Sequence, residues 1–65
     1  MKITKIYFPM VTVMKLEVLG QEDRYFTLTE GETYPSEDVI LTNKDWRRAL
    51  SEARQKGSKV EEFER

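Results

Sequence analysis

The segment from Thr42 to Gly57 carries a complete set of signals for one amphipathic helix, which constrains the fold more than any other feature of the chain. Four apolar side chains recur at i, i+3, i+4 and i+7, a spacing that gathers them on one side of a helix. They are Trp46, Ala49, Leu50 and Ala53. Thr42 and Asp45 form a variant of the capping box, and Gly57 can adopt the left-handed conformation that ends a helix. The sequence therefore predicts a helix over residues 43–56 whose apolar side packs on another element.

The opposite side of the predicted helix is basic. Its cationic side chains, which we call the basic helix face, are Lys44, Arg47, Arg48 and Arg54. Such a pattern is typical of a solvated helix surface, and it also suits contact with an acidic partner or with the phosphates of a nucleic acid. We therefore treat these four residues as a candidate site for a protein partner or a nucleic acid.

The composition excludes several kinds of chemistry. The chain has 65 residues and contains no cysteine and no histidine, so it lacks disulfide bonds and the usual ligands of zinc, iron and copper. A nucleophile activated by histidine is excluded for the same reason. The carboxylates of residues 30–38 lie in a predicted loop, where too little protein surrounds them for acid–base catalysis. We expect a single domain over residues 1–65 that is not an enzyme and binds no cofactor, metal ion or small-molecule substrate.

The location of the protein is predicted from its hydropathy. The N-terminal residues lack the continuous apolar run of a signal peptide, and no segment approaches the length and apolarity of a transmembrane span. We therefore expect a cytoplasmic protein with no membrane partner.

Upstream of the helix, apolar and polar side chains alternate with a period of two, which predicts β-strands. The strands are expected at residues 2–8, 11–19 and 25–29. Because short connections at Pro9 and Gly20 separate them, consecutive strands should be antiparallel. The predicted fold class is α+β, with a three-stranded antiparallel β-meander packed on one C-terminal α-helix. Residues 39–41 either add a short fourth strand or anchor the start of the helix to the core.

Matching polar with polar side chains across the strands predicts a register and divides the sheet into two faces. Ile3 should lie opposite Leu16, and Leu16 opposite Leu28. We expect the helix to cover the face that contains these residues. The other face then exposes an apolar group that we call the Ile6 cluster, which comprises Ile6, Phe8, Val11 and Val13. A shorter loop at Pro9 would instead turn Ile6 towards the helix.

The Ile6 cluster is the second candidate site, because one helix can cover only one face of a sheet. The C-terminal tail, residues 58–65, either folds back over the cluster through Val60 and Phe63 or is mobile. An uncovered cluster would form a surface for a protein partner or for self-association.

The function expected from these features is binding of another macromolecule without catalysis. The first hypothesis is a protein–protein interaction module that acts as a regulatory accessory factor, a type of chain that mobile elements often encode. The alternative is nucleic-acid binding through the basic helix face and the aromatic rings of the sheet, on which bases can stack. The order of three strands and a helix resembles the layout of the small DNA-binding domains of some integrases. A sequence pI of about 5.4 favours the protein-binding hypothesis.

Overall fold

A computed structural model describes residues 1–38 and 41–65, which fold into one sheet and one helix. The elements are β1 (Lys2–Tyr7), β2 (Val11–Glu17), β3 (Arg24–Thr29), β4 (Ser36–Glu37), α1 (Asn43–Lys56) and β5 (Lys59–Glu64). The strands lie in the order β4-β3-β2-β1-β5, and all neighbours are antiparallel. The predicted α+β class, with an antiparallel sheet and a helix in the C-terminal half, is confirmed.

The sheet has five strands where the sequence predicted three. The tail supplies β5, which pairs with β1 from Lys59 to Glu64. Val60 and Phe63 are three residues apart and so lie on opposite faces of the sheet, which is why the tail cannot cover one face with both. The strand β4 lies within the predicted loop. Of the segment predicted as a fourth strand or an anchor, residues 39 and 40 lie outside the described residues, and Leu41 packs against the core.

The helix α1 begins and ends where its capping residues predict. The Thr42 hydroxyl oxygen accepts the Asp45 backbone N–H at 3.2 Å, and the Asp45 carboxylate accepts the Thr42 backbone N–H at 3.2 Å. At the other end, Gly57 has a φ of 71° and its backbone N–H donates to the carbonyl of Ala53. These bonds satisfy backbone groups that the ends of a helix leave without partners. Short-range interactions therefore set both ends of α1.

One predicted strand register is confirmed and the other is wrong. Ile3 lies opposite Leu16 between β1 and β2, as expected. Between β2 and β3, however, Leu16 lies opposite Arg24, four residues before the predicted partner Leu28. Because the shift is an even number of residues, every side chain of β3 stays on its predicted face of the sheet.

A turn that begins earlier than expected causes this shift. The backbone N–H of Gln21 donates to the carbonyl of Val18 at 3.0 Å, and Gly20 between them has a φ of 81°. A left-handed residue at this position of a turn favours glycine. Val18 therefore belongs to the turn, and the ladder with β3 begins at Leu16.

The helix packs on the face of the sheet opposite to the predicted one. The core consists of Ile6, Tyr25, Trp46 and Ala53, with Phe8 and Val13 of the sheet packed against it. Ile6 is 0% exposed and Trp46 is 3% exposed. The Trp46 ring lies 6.0 Å from the Tyr25 ring at an angle of 47°. The prediction that the helix covers the face of Ile3 and Leu16 is therefore wrong: α1 covers the Ile6 cluster and leaves the face of Ile3 and Leu16 uncovered.

The handedness of a chain crossover accounts for this choice of face. Since β4 is antiparallel to β3 and β5 is antiparallel to β1, the strand order makes β4 and β5 parallel to each other. The connection that contains α1 thus joins two parallel strands of one sheet. Connections of this kind are right-handed in about 98% of cases.

Backbone hydrogen bonds identify the face that satisfies this rule. The N–H of Phe8 donates to the carbonyl of Val11 at 2.9 Å, so the β1 residues on the face of Ile6 direct their backbone groups towards β2. For L-residues, β2 then lies to the right of β1 when this face is viewed with β1 pointing upwards. With α1 on the viewer's side, the path from β4 through α1 to β5 is right-handed. On the face predicted from the sequence, the same path would be left-handed.

Candidate protein-binding surface

The side of the sheet opposite α1 is largely apolar, and we call it the open face. Its apolar side chains come from four strands and are Ile3, Met14, Leu16, Phe26, Leu28 and Phe63. Met14 is packed between its neighbours and only 8% exposed, whereas Phe63 is 45% exposed. The others are partly exposed. The open face thus presents apolar surface that no contact with α1 removes from water.

The side chains of the open face form two adjacent rows that run across the strands. The first row is Leu16, Ile3 and Phe63, and the second is Phe26, Met14 and Lys5. Lys5 lies between Met14 on one side and Glu61 on the other. Lys5 therefore separates the apolar side chains of the second row from the carboxylate of Glu61.

Two shallow concavities on the open face share lining residues, and we call the two together the groove. Their volumes are about 270 Å³ and 320 Å³, and Ile3 and Lys5 line both of them. The first extends to Phe26 and Pro35, and the second extends to Phe63. The groove therefore crosses the sheet from β3 to β5, with Lys5 near its middle.

Three basic side chains of the open face lie over aromatic rings. The Lys5 ammonium is 5.3 Å from the centre of the Phe63 ring, and the Arg24 guanidinium is 5.3 Å from that of Phe26. Lys59 lies 5.9 Å from the Tyr7 ring. Each such contact contributes roughly 0.5–1 kcal/mol at an exposed site, so it favours a side chain that lies along the sheet.

Two of these three cations also have a carboxylate partner. Arg24 donates two hydrogen bonds to Glu37, at 3.0 and 2.6 Å, and they lower the pKa of the Glu37 carboxyl below its usual value. Lys59 pairs with Glu61 at 2.9 Å, and this contact raises the pKa of the lysine. Lys5 forms no ion pair within residues 1–38 and 41–65. Lys5 can therefore take an external anion without breaking an ion pair of the described residues.

The Ile6 cluster offers little accessible surface. Ile6 is fully buried, and Phe8 and Val13 pack against the core beneath α1. Val11 is partly exposed beside them. A partner could reach most of this predicted site only if α1 moved away from the sheet.

The four side chains of the basic helix face are all exposed, but they do not form one patch. With 3.6 residues per turn, Lys44 and Arg48 lie on the side of α1 that faces away from the sheet. Arg47 and Arg54 lie on one flank, where they line a cleft of about 360 Å³ between α1 and the sheet. No ion pair in the described part of the chain includes any of the four.

The cleft beside Arg47 and Arg54 has charges of both signs. Its floor includes Lys15, which pairs with Glu17 at 3.4 Å and with Asp23 at 3.5 Å. One ammonium group beside two carboxylates leaves this part of the floor with a net charge of −1, so Arg47 and Arg54 are the cations of the cleft without a described ion pair.

The residues that the structure describes contain no group of three or more histidine, cysteine, aspartate or glutamate side chains that could hold a metal ion. No helix among them is long and apolar enough to cross a membrane; α1 has 14 residues and a charged outer side.

Lys5 and Phe63 were not among the residues predicted as sites. The alternation of the sequence places Ile3 and Leu16 on one face, but the sequence-based prediction puts the helix over that face. Phe63 joins them only through the pairing of β5 with β1, which the irregular apolar pattern of residues 59–64 does not signal.

Comparisons with protein-family models, with curated proteins and with solved structures find no match for this chain. The fold and the surface define it as a small two-layer α+β protein in which the helix covers one face of the sheet. Its function has to be inferred from the groove of the open face and from the basic helix face.

Proposed function

We propose that this chain is a non-enzymatic module that binds another protein through the open face and acts as a regulatory accessory factor. The observation that supports the proposal is the apolar groove that runs from Phe26 past Ile3 to Phe63. Contiguous apolar surface of this kind on a small protein typically marks an interaction site.

The energetics of the groove are consistent with binding through a few side chains. Fully burying a side chain such as phenylalanine or isoleucine stabilises a complex by roughly 1.5–3 kcal/mol. Phe63 offers the largest gain, because it is the most exposed of the six apolar residues that define the open face. Its replacement should therefore weaken binding more than it affects folding.

A pair of charged substitutions tests the proposal. Phe63→Lys introduces a charge into the open face, and Leu19→Lys introduces the same charge at a loop residue that is 100% exposed and lies outside the groove. Each tagged variant is used for affinity capture from the native host, with the wild-type chain in parallel. We expect all three chains to melt at similar temperatures, and only Phe63→Lys to lose the captured protein. Equal capture by Phe63→Lys and the wild-type chain would refute binding through the open face.

A second candidate function is nucleic-acid binding by the basic helix face. The observation that favours it is the set of four exposed cations without a described ion pair. The net charge of −1 explains why it ranks second, since dedicated nucleic-acid-binding domains are usually basic.

Salt dependence distinguishes the two candidates. Binding to phosphates must weaken steeply between about 50 and 200 mM salt, because each neutralised phosphate releases counterions. Titrations of labelled DNA and RNA with the wild-type chain and with the double variant Arg47→Glu, Arg48→Glu measure this effect. Tight, salt-sensitive binding that the double variant abolishes and Phe63→Lys leaves unchanged would establish the second candidate over the first.

A further inference from the structure

The groove of the open face combines apolar walls with the Lys5 ammonium group, which lies near its middle and forms no ion pair among the described residues. Building on the proposed function, we propose that the partner inserts an amphipathic helix across this groove and that a carboxylate on the apolar side of the helix pairs with Lys5. The proposal goes beyond protein binding because it specifies the secondary structure and the charge of the segment that binds.

The length of the groove suits a short helix. It crosses four strands, from β3 through β2 and β1 to β5, and neighbouring strands lie about 4.8 Å apart, so it spans roughly 14 Å. A helix rises 1.5 Å per residue and covers this distance in about ten residues. Side chains at i, i+3 or i+4, and i+7 of such a helix would contact Phe26, the centre of the groove and Phe63 in turn.

The charge at the centre of the groove specifies the carboxylate. An apolar segment laid over Lys5 would remove water from its ammonium group, which is unfavourable unless a counter-charge replaces the water. The neighbouring Glu61 is already paired with Lys59, and Glu37 is paired with Arg24. An aspartate or glutamate from the partner is therefore the group that completes the site.

The edges of the sheet do not favour an added strand as the occupant. The edge strand β5 carries three carboxylates, from Glu61, Glu62 and Glu64, and charged side chains on an edge oppose further pairing. The other edge, β4, has only two residues. The apolar groove is on the face of the sheet and not along these edges.

A second copy of the chain is also a poor occupant. In a dimer whose two-fold axis passes through the middle of the groove, the centre of one groove lies against the centre of the other. The Lys5 ammonium groups would then approach each other, and the neighbouring Glu61 is engaged with Lys59. Like charges brought together in this way oppose association.

Site-specific cross-linking tests the proposal. The photoreactive residue benzoylphenylalanine replaces Phe63 or Phe26 in two variants, and it replaces Leu19 in the control. Each variant is irradiated in extract of the native host, and mass spectrometry identifies the cross-linked segment. A carbodiimide, which joins amines to carboxylates without a spacer, is then applied to the wild-type chain and to Lys5→Arg. A synthetic peptide of the identified segment provides the probe for binding and for far-ultraviolet spectra.

The expected result is that the Phe63 and Phe26 variants cross-link to one segment with apolar residues three and four apart, and that the Leu19 variant does not. The peptide should become helical on binding, and the carbodiimide should join its aspartate or glutamate to Lys5. Lys5→Glu should weaken peptide binding by at least about tenfold, whereas Lys5→Arg, which keeps the charge but lacks the reactive amine, should bind without forming this cross-link.

Other outcomes overturn the proposal in distinguishable ways. A cross-linked segment that binds in an extended form, or one that tolerates Lys5→Glu, refutes the acidic helix while leaving the proposed function intact. Cross-links to a second copy of the chain or to nucleic acid refute the stated occupant. An absence of cross-links from both Phe63 and Phe26 refutes the proposed function together with this inference.

Discussion

Two isoleucines of one strand provide a direct test of which face α1 covers. Ile3 and Ile6 both lie in β1, three residues apart, and so project from opposite faces of the sheet. Ile6 is 0% exposed in the core with Trp46, whereas Ile3 is partly exposed on the open face. The same substitution at both positions therefore compares the two faces with side-chain type and strand held constant.

The structure predicts a large difference between Ile6→Ala and Ile3→Ala. At Ile6 the substitution removes buried carbon atoms and leaves a cavity, and such changes cost about 2–5 kcal/mol. At Ile3 the site is open to solvent, so no closed cavity forms, and the loss should be about 1 kcal/mol. A domain of this size has roughly 3–5 kcal/mol of stability in total. Ile6→Ala should therefore be close to unfolded at room temperature, and Ile3→Ala should remain folded.

Urea unfolding followed by tryptophan fluorescence measures both losses. Trp46 is the single tryptophan of the chain and lies in the core, so its emission reports on the packing of α1. The dependence of the free energy of unfolding on urea should be the same for the two variants, so that their midpoints compare stability alone. A loss of stability for Ile3→Ala equal to or greater than that for Ile6→Ala would show that α1 covers the face of Ile3. The groove of the open face would then not be accessible.

Three further predictions concern the helix. Trp46→Ala removes the largest core side chain and should cost roughly 3–5 kcal/mol, so the variant should lack a cooperative thermal transition; a melting temperature within a few degrees of the wild-type chain would contradict the packing of α1. Thr42→Ala removes the N-cap and should lower stability by about 0.5–2 kcal/mol in urea unfolding, and an unchanged midpoint would mean that the cap does not form. Hydrogen bonds from Thr42 lower the pKa of Asp45, so this carboxylate stabilises the fold above its unfolded pKa of about 3.9 and loses that effect as the pH falls through its lower folded pKa. The melting temperature should therefore drop on acidification below about pH 4, and should drop less for Asp45→Asn; identical acid profiles would exclude a contribution from this group.

The open face was only partly predictable from the sequence. Alternation along the strands identified Ile3, Leu16 and Leu28 as residues of one face, and the pairings of β1 with β2 and of β2 with β3 confirm that grouping. The same alternation does not indicate which face the helix covers, because both faces contain apolar side chains. It could therefore not tell which group would be buried and which would remain open to a partner.

The ends of the helix and the division of the sheet into two faces were determined by the sequence itself, because they depend on interactions over a few residues. The capping bonds join Thr42 to Asp45, and Gly57 ends the helix through its own backbone conformation. The face of a strand residue depends only on whether its position is odd or even, so even the error of four residues between β2 and β3 left it unchanged.

Only the tertiary structure decided which face α1 covers and at which edge of the sheet β5 lies. The pairing of β5 with β1 joins residues that are far apart in sequence, such as Ile3 and Phe63, and no local sequence pattern predicts it. Once β5 lies at that edge, the connection from β4 becomes a crossover between parallel strands, and the right-handed path brings α1 over Ile6. The handedness of L-residues thus selects the buried face, and α1 leaves the face of Ile3, Lys5 and Phe63 uncovered because that face lies on the other side of the same sheet.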